Sequence, residues 1–171
     1  MRNLSRDICP FYLKFIHRWL AVGSRMAKMH QDDSTCPTCC VETEDHRHFL
    51  LCSHASQSQW GHATTTGLDT LLKQHSTDPD LRAMIVHGID ELLSTPNYTC
   101  ATLLNPRLHR LAQRQNKIGW SQWLNCRVST DWAACQDFYL KATKQYNHRK
   151  RTGRLWIQRI FDFLIRRLHI L

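Results

Sequence analysis

The side chains best suited to binding a metal ion are concentrated in residues 36–52. Cys36 and Cys39 are separated by two residues, a spacing at which one tight turn directs two thiolates at the same ion. His48 and Cys52 are four residues apart, so a helix would place them on one face, one turn apart. Three thiolates and one imidazole form a closed tetrahedral set, which is typical of structural zinc. The spacing therefore predicts one structural Zn²⁺ and leaves no open position for catalysis.

The spacing leaves other ligand assignments open. Three neighbours could each replace one member of the set: Cys40 for Cys39, His46 for His48, and His54 for Cys52. The cysteines could instead be core residues beside solvent-exposed histidines, or form a redox C-x-x-C motif. A redox motif requires a strand before it and a helix that begins at it, and the sequence suggests neither.

The distribution of the eight cysteines points to a reducing compartment. Four of them lie in residues 36–52, and such clustering favours a metal over disulfides in an intracellular protein. We expect the other four to be small buried apolar residues: Cys9, Cys100, Cys126 and Cys135. No window of apolar residues is long enough to span a membrane, and the first residues do not resemble a secretory signal. The sequence thus predicts an intracellular protein of the nucleus or cytoplasm that binds no membrane.

Hydrophobic periodicity predicts an all-α protein, because apolar residues recur at helical spacing and no segment reads as a strand. The predicted helices are 9–29, 44–59 with Thr43 as its N-cap, 79–94 with Pro79 in its first turn, 105–124, a helix beginning at Ser129–Asp131, and a last helix capped by Thr152. We expect a loop at 30–43, a connector at 61–66 and a basic hinge at 148–151. The predicted fold is therefore a small helical domain with a zinc-stapled loop and helix near its N-terminus.

Three segments can be distinguished along the 171 residues. Residues 1–60 contain a helix and the predicted zinc-binding loop and helix. Residues 61–104 contain a connector and an amphipathic helix. Residues 105–171 form a basic helical tail. With 42% hydrophobic residues, the chain can bury a substantial core, so we expect these segments to pack as one or two small domains.

Positive charge is confined to the C-terminal segment. Residues 1–104 contain nine basic and eleven acidic side chains, whereas residues 105–171 contain fourteen basic and three acidic ones, for a net charge of +11. Such an asymmetry predicts a polyanionic partner, either RNA or DNA, held mainly through its phosphates. The candidate nucleic-acid-binding residues are Arg110, Arg114, Lys117, Arg149, Lys150, Arg151 and Arg154.

Aromatic side chains in the basic segment could stack on bases or belong to the core. Trp132 and Trp156 lie at core spacing on their predicted helices, so we expect both to be buried. Trp120 and Trp123 cannot both face the centre of the apolar stripe of the predicted 105–124 helix. One of the two is therefore expected to be accessible.

The same residues resemble a known family. Trp19, Cys36-Pro-Thr-Cys39, the acidic Glu42 and Glu44, and His48-Phe-Leu-Leu-Cys52 are similar to the zinc-binding region downstream of the reverse transcriptase domain in non-LTR retrotransposon proteins. The resemblance implies that Cys36, Cys39, His48 and Cys52 ligate the metal. It also implies nucleic acid as a partner, together with the polymerase portion of such a protein, which this chain lacks.

No complete catalytic motif is present. The chain contains no Tyr-x-Asp-Asp, so two-metal phosphoryl transfer is not expected. A degenerate metal-dependent nuclease would need Asp80 and Asp90 to share an ion, but ten helical residues separate carboxylates by about 15 Å. The sequence therefore predicts a non-catalytic, zinc-binding and nucleic-acid-binding module. The main alternative is a structural or protein-interaction module whose basic surface binds no nucleic acid.

Overall fold

The structure is a computed structural model that describes residues 8–30, 33–94, 99 and 106–171. Within these ranges it contains eight α-helices and no strand, which confirms the all-α prediction. The helices are α1 (Ile8–Ile16), α2 (Gly23–His30), α3 (His48–Leu51), α4 (Ala55–Gln74), α5 (Pro79–Ser94), α6 (His109–Ile118), α7 (Asp131–Ala142) and α8 (Gly153–His169). Two short 3₁₀ helices, Pro106–Leu108 and Trp120–Trp123, flank α6. No described helix is long and apolar enough to cross a bilayer.

Helix α5 is the centre of the core and matches its prediction in both bounds. Its predicted apolar stripe is buried: Leu81, Met84, Ile85, Ile89 and Leu92. The carboxylate of Asp78 accepts a hydrogen bond from the backbone amide of Asp80, which satisfies one of the free donors at the start of the helix. Helix α4 packs against α5 and also against α8, so the three longest helices enclose most of the apolar surface.

A cluster of buried tryptophans closes the core beside α5. The ring of Trp132 lies edge-on to Trp120 and Trp123, with centroid distances of 6.1 and 5.0 Å. The expectation that Trp120 or Trp123 is accessible is wrong, because both are at most 1% exposed. The reason is Gly119, whose φ of +95° ends α6 and turns the chain into a 3₁₀ helix. Both rings then face inward.

The predicted helix over 9–29 is interrupted. Arg18 adopts a left-handed conformation, φ 56°, between α1 and α2. Its carbonyl oxygen accepts hydrogen bonds from Arg25 Nη1 at 3.1 Å and lies 2.7 Å from His46 Nε2. Contacts from distant parts of the chain therefore fix a break that local periodicity does not reveal.

The predicted helix over 44–59 and the connector at 61–66 are also wrong. Helix α4 begins after His54, whose side chain caps it, and continues through 61–66 to Gln74. Threonine has a low helix propensity, which is why the sequence suggests a connector in this stretch. Within the helix, however, the hydroxyl of Thr65 donates a hydrogen bond to the carbonyl oxygen of Gly61. By contrast, the cap of α8 is confirmed: the hydroxyl of Thr152 accepts from the amide of Leu155.

Two helical glycines provide a test of the packing between α5 and the tryptophan cluster. A Cβ on Gly88 would lie 2.0 Å from the buried ring of Trp120, whereas one on Gly61 would lie 3.8 Å from Leu93. We expect Gly88→Ala to destabilise the fold by about 2 kcal/mol, because the buried ring of Trp120 has no free space into which it could move. Gly61→Ala should leave stability unchanged or raise it by up to about 1 kcal/mol. Urea denaturation of both variants measures the difference, and equal midpoints would contradict the packing described here.

Candidate metal centre

A tight loop places the first two cysteines side by side. An antiparallel bridge joins Thr35 to Thr43, and the amide of Cys36 donates to the carbonyl of Glu42 at 2.7 Å. Inside this loop the amide of Cys40 donates to the carbonyl of Cys36, and Cys40 has a φ of 55°. The chain therefore reverses directly after Cys36, and the thiols of Cys36 and Cys39 face the same point.

The short helix α3 supplies the other two side chains. Its start is fixed by Asp45, whose carboxylate accepts hydrogen bonds from the amides of Arg47 and His48. His48 begins the helix and Cys52 ends it. The two residues are therefore one helical turn apart, as predicted, although α3 itself has only four residues.

The loop and α3 bring the four predicted ligands together. The sulfur atoms of Cys36, Cys39 and Cys52 and a ring nitrogen of His48 all lie within 4.8 Å of one another. The Sγ atoms of Cys36 and Cys52 are 4.0 Å apart, and Cys39 Sγ is 3.4 Å from His48 Nε2. Bonds of 2.3 Å to a tetrahedral ion would place two sulfurs about 3.8 Å apart. The cluster therefore has the size of a single tetrahedral metal site.

The site is shielded from solvent on most sides. Cys36, His48 and Cys52 are each at most 7% exposed, and Cys39 is half-buried. Three of the four side chains are therefore enclosed by the protein, and only Cys39 is partly open to solvent. The arrangement matches closed sites that support structure rather than open sites that carry a catalytic water.

Glu42 orients the ring of His48, a role that its position in the sequence does not predict. Its Oε2 lies 3.1 Å from His48 Nδ1, on the opposite side of the ring from the nitrogen that faces Cys39. A carboxylate in this position fixes the tautomer with Nε2 free to bind metal and increases the basicity of that nitrogen. An acidic residue six positions before the histidine was the only available signal, and spacing alone does not show that the loop folds it back.

Backbone amides favour the thiolate form in the loop. Hydrogen bonds from the amides of Glu42 and Val41 lower the pKa of Cys39 to about 6. Burial raises the pKa of Cys36, but hydrogen bonds from the amides of Cys39 and Thr38 and from the side chain of His48 together outweigh it, so the pKa is lowered. Burial raises the pKa of Cys52. The loop thus supplies ready anionic donors, and a bound cation would stabilise the third thiolate.

The alternative ligands have other partners. Cys40 is exposed and its sulfur lies 3.7 Å from the carbonyl of Pro37. His46 contacts the carbonyl of Arg18, and the ring of His54 caps α4 through the amide of Ser56. None of the three belongs to the cluster, which consists of the four residues that the spacing favoured.

The metal loop is anchored to α2. The carboxylate of Glu44 accepts from the amide of Gly23 at 2.7 Å, and the carbonyl of Glu44 accepts from the amide of Ser24. A Cβ on Gly23 would lie 2.7 Å from the carbonyl oxygen of Ser34, so the two backbones approach closely there. The loop that carries Cys36 and Cys39 is therefore hydrogen-bonded directly to the start of α2.

The predicted nucleic-acid-binding residues form two groups. Arg149, Lys150 and Arg151 lie in a turn closed by a bridge between Asn147 and Arg151, and all three side chains are exposed. Asn147 stabilises the turn, because its carboxamide oxygen accepts from the amides of Arg149 and Lys150. Arg154 follows, exposed, in the first turn of α8. We refer to residues 147–151 as the basic turn.

The second group lies on α6 and is only partly available. Arg110 and Lys117 are exposed. Arg114 is half-buried and forms an ion pair with Asp131 at the start of α7. Its charge is therefore balanced within the protein, which sets it apart from the basic turn.

The comparisons of this chain with family models, curated proteins and solved structures gave no match.

Substitution of two adjacent cysteines distinguishes a metal ligand from a cysteine outside the cluster. Cys39→Ser should abolish binding of one divalent ion per chain, because it removes a donor from a closed four-ligand site. Cys40→Ser should retain the ion in full, since the exposed Cys40 lies outside the cluster. Native mass spectrometry of both variants beside the wild type measures the stoichiometry. Loss of the ion in Cys40→Ser and its retention in Cys39→Ser would reverse the assignment.

Glu42→Gln tests the orientation of the histidine. The amide side chain keeps the shape of the carboxylate but removes its charge, so metal affinity should fall by about tenfold or more. The backbone hydrogen bonds of residue 42 are unaffected by this change. Competition with a metal chelator gives the affinity, and Asp90→Asn, an exposed change on α5 away from the loop, is the control. Equal affinities in the two variants would show that Glu42 plays no part.

Proposed function

We propose that this chain is a non-catalytic zinc-binding module that binds nucleic acid through its basic C-terminal segment. The observation that carries the zinc assignment is the closed cluster of three thiols and one imidazole within 4.8 Å. Soft sulfur donors in a four-coordinate arrangement favour Zn²⁺ over Mg²⁺ or Ca²⁺, which prefer oxygen. The role of the ion is structural, since the four side chains occupy every position of a tetrahedron.

The zinc would stabilise a part of the chain that has little regular structure. Between α2 and α3 the described backbone is held by a single bridge and a few turn hydrogen bonds. Crosslinking Cys36 and Cys39 to α3 fixes this loop, and the loop in turn holds α2 through Glu44. In such sites the free energy of metal binding contributes directly to folding.

Nucleic acid binding is supported by the placement of charge. The net charge of residues 105–171 is +11, and the basic turn concentrates three of these cations on a rigid, exposed segment. Arginine and lysine side chains in this position neutralise phosphates and release counterions. RNA and DNA share this chemistry, and the proposal covers both.

A relation to the region downstream of the reverse transcriptase domain in non-LTR retrotransposon proteins is part of the proposal. It is supported by the spacing of Cys36, Cys39, His48 and Cys52 and by the convergence of these residues on one point. On this interpretation the polymerase portion of such a protein is the natural neighbour of the module.

A non-catalytic role is supported by the state of the carboxylates that a nuclease would use. Asp80 lies 3.7 Å from Arg107, which also pairs with the buried Asp78. Asp90 lies near the other end of the same helix. Asp78 and Asp80 therefore act at the start of α5, and Asp90 is too far along the helix to share an ion with Asp80.

The second candidate function is a protein-interaction module. It is favoured by the burial of the tryptophans in the basic segment, because Trp120, Trp123, Trp132 and Trp156 are at most 3% exposed. None of these rings is available to stack on bases. If the basic surface binds no nucleic acid, the zinc loop and helices remain as a folded scaffold.

Salt dependence separates the two candidates. Replacing Arg149, Lys150 and Arg151 by alanine should weaken binding of RNA or DNA and reduce the slope of log K against log salt by about 2 to 3, since each phosphate contact contributes about 0.7 to 0.9. The control is the triple alanine variant of Lys14, Lys28 and Lys73, which removes the same charge from α1, α2 and α4. Fluorescence anisotropy at several salt concentrations measures the slope. Equal slopes for both variants, or no binding at low salt, would favour the interaction module.

A further inference from the structure

A surface groove lies apart from the metal centre, between the end of α6, residues 126–130, and the first halves of α7 and α8. Its volume is about 590 Å³, within the range of ligand-binding clefts. Its apolar walls include Ile118, Val128, Ile157 and Phe161, and the charged residues that line it are Arg127 and Arg154. Among its described lining residues there is no acidic side chain.

The two arginines at the groove are available to an anion. In the described part of the chain, neither Arg127 nor Arg154 has a carboxylate within ion-pair distance. Both side chains are exposed. Arg154 lies three residues after Arg151, so it connects the groove to the basic turn. Exposed cations therefore occur both at the groove and in the adjoining basic turn.

The walls of the groove are rigid and apolar. Ile118 is 39% exposed although it ends a helix in the core region. The ring of Phe161 packs edge-on against the buried Trp123, with centroids 6.1 Å apart, which fixes its position. Unpaired nucleobases have flat apolar faces that can contact such walls. In a duplex these faces are covered, because the bases stack on one another.

We propose that this groove binds the bases of a single-stranded nucleic acid whose phosphates lie on Arg127, Arg154 and the basic turn. The inference rests on the proposed function and adds a preference for unpaired strands. An acidic peptide with apolar side chains is the rival occupant. The cations that continue from Arg154 into the basic turn favour the nucleic acid, because they match a repeating chain of phosphates better than a single peptide side chain.

The test compares strands of equal length on the full zinc-loaded chain. An oligouridine of about twelve nucleotides, close to the site size of single-strand-binding domains, should bind about tenfold more tightly than a duplex of the same length. Ile118→Glu should remove this preference, because a carboxylate enters the groove. The control is Met29→Glu, which adds the same charge at an exposed position on α2. Comparison of the affinity of the oligouridine with that of an oligothymidine of the same length shows whether the groove prefers RNA or DNA.

Arg154→Gln provides a second variant that leaves the core untouched. It should weaken single-strand binding severalfold, whereas Lys28→Gln on α2 should not. Thermal melting of all variants checks that each remains folded.

Four results would overturn the inference. Equal affinities for single strand and duplex would exclude the groove as a binding site for bases. Equal losses of single-strand affinity in Ile118→Glu and Met29→Glu would do the same. In both cases a loss of affinity on substitution of the basic turn would still support nucleic acid binding. Binding of a labelled peptide of alternating glutamate and leucine that depends on Ile118, with oligonucleotide binding that does not, would assign the groove to the peptide. No binding of either oligonucleotide at low salt would remove the proposed function itself.

Discussion

The convergence of four side chains from a loop and a short helix is the constraint on which the segment between α2 and α3 depends. The backbone between α2 and α3 has almost no apolar surface to bury, and its one bridge is too short to be stable alone. What positions it is the meeting of Cys36 and Cys39 with His48 and Cys52. Through the hydrogen bonds of Glu44, the same convergence places α2.

Buried glutamines play the corresponding role in the rest of the fold. Gln136 on α7 accepts from the amide of Asp78 and donates to the carbonyl of Ser76, so it fixes the turn between α4 and α5. Gln115 accepts from the indole of Trp132 and donates to the carbonyl of Gly119. Both side chains are 0% exposed, so an unsatisfied amide at either position would be costly. These polar contacts determine how α6 and α7 pack against an otherwise non-directional apolar core.

The sequence predicts those parts of the molecule whose determinants are local. The C-x-x-C turn, the four-residue spacing of His48 and Cys52, the stripe of α5 and the cap at Thr152 each depend on residues close in sequence. Other features depend on distant contacts and were not predicted. The break at Arg18 depends on His46, and the inward turn of the tryptophans after Gly119 depends on the space beside Gly88. The role of Glu42 depends on the folding back of a loop, which spacing does not encode.

The few carboxylates of the basic segment determine where its charge is available. Asp131 pairs with Arg114, and the carboxylate of Asp137 accepts from the amide of Gly153 at the start of α8. From the N-terminal part, Asp78 and Asp80 balance Arg107. The guanidinium groups of Arg107 and Arg114 are thus neutralised, whereas the basic turn is shaped by the neutral side chain of Asn147. A turn braced by an amide rather than a carboxylate keeps its full positive charge, so it contributes a positive potential at the surface of the protein.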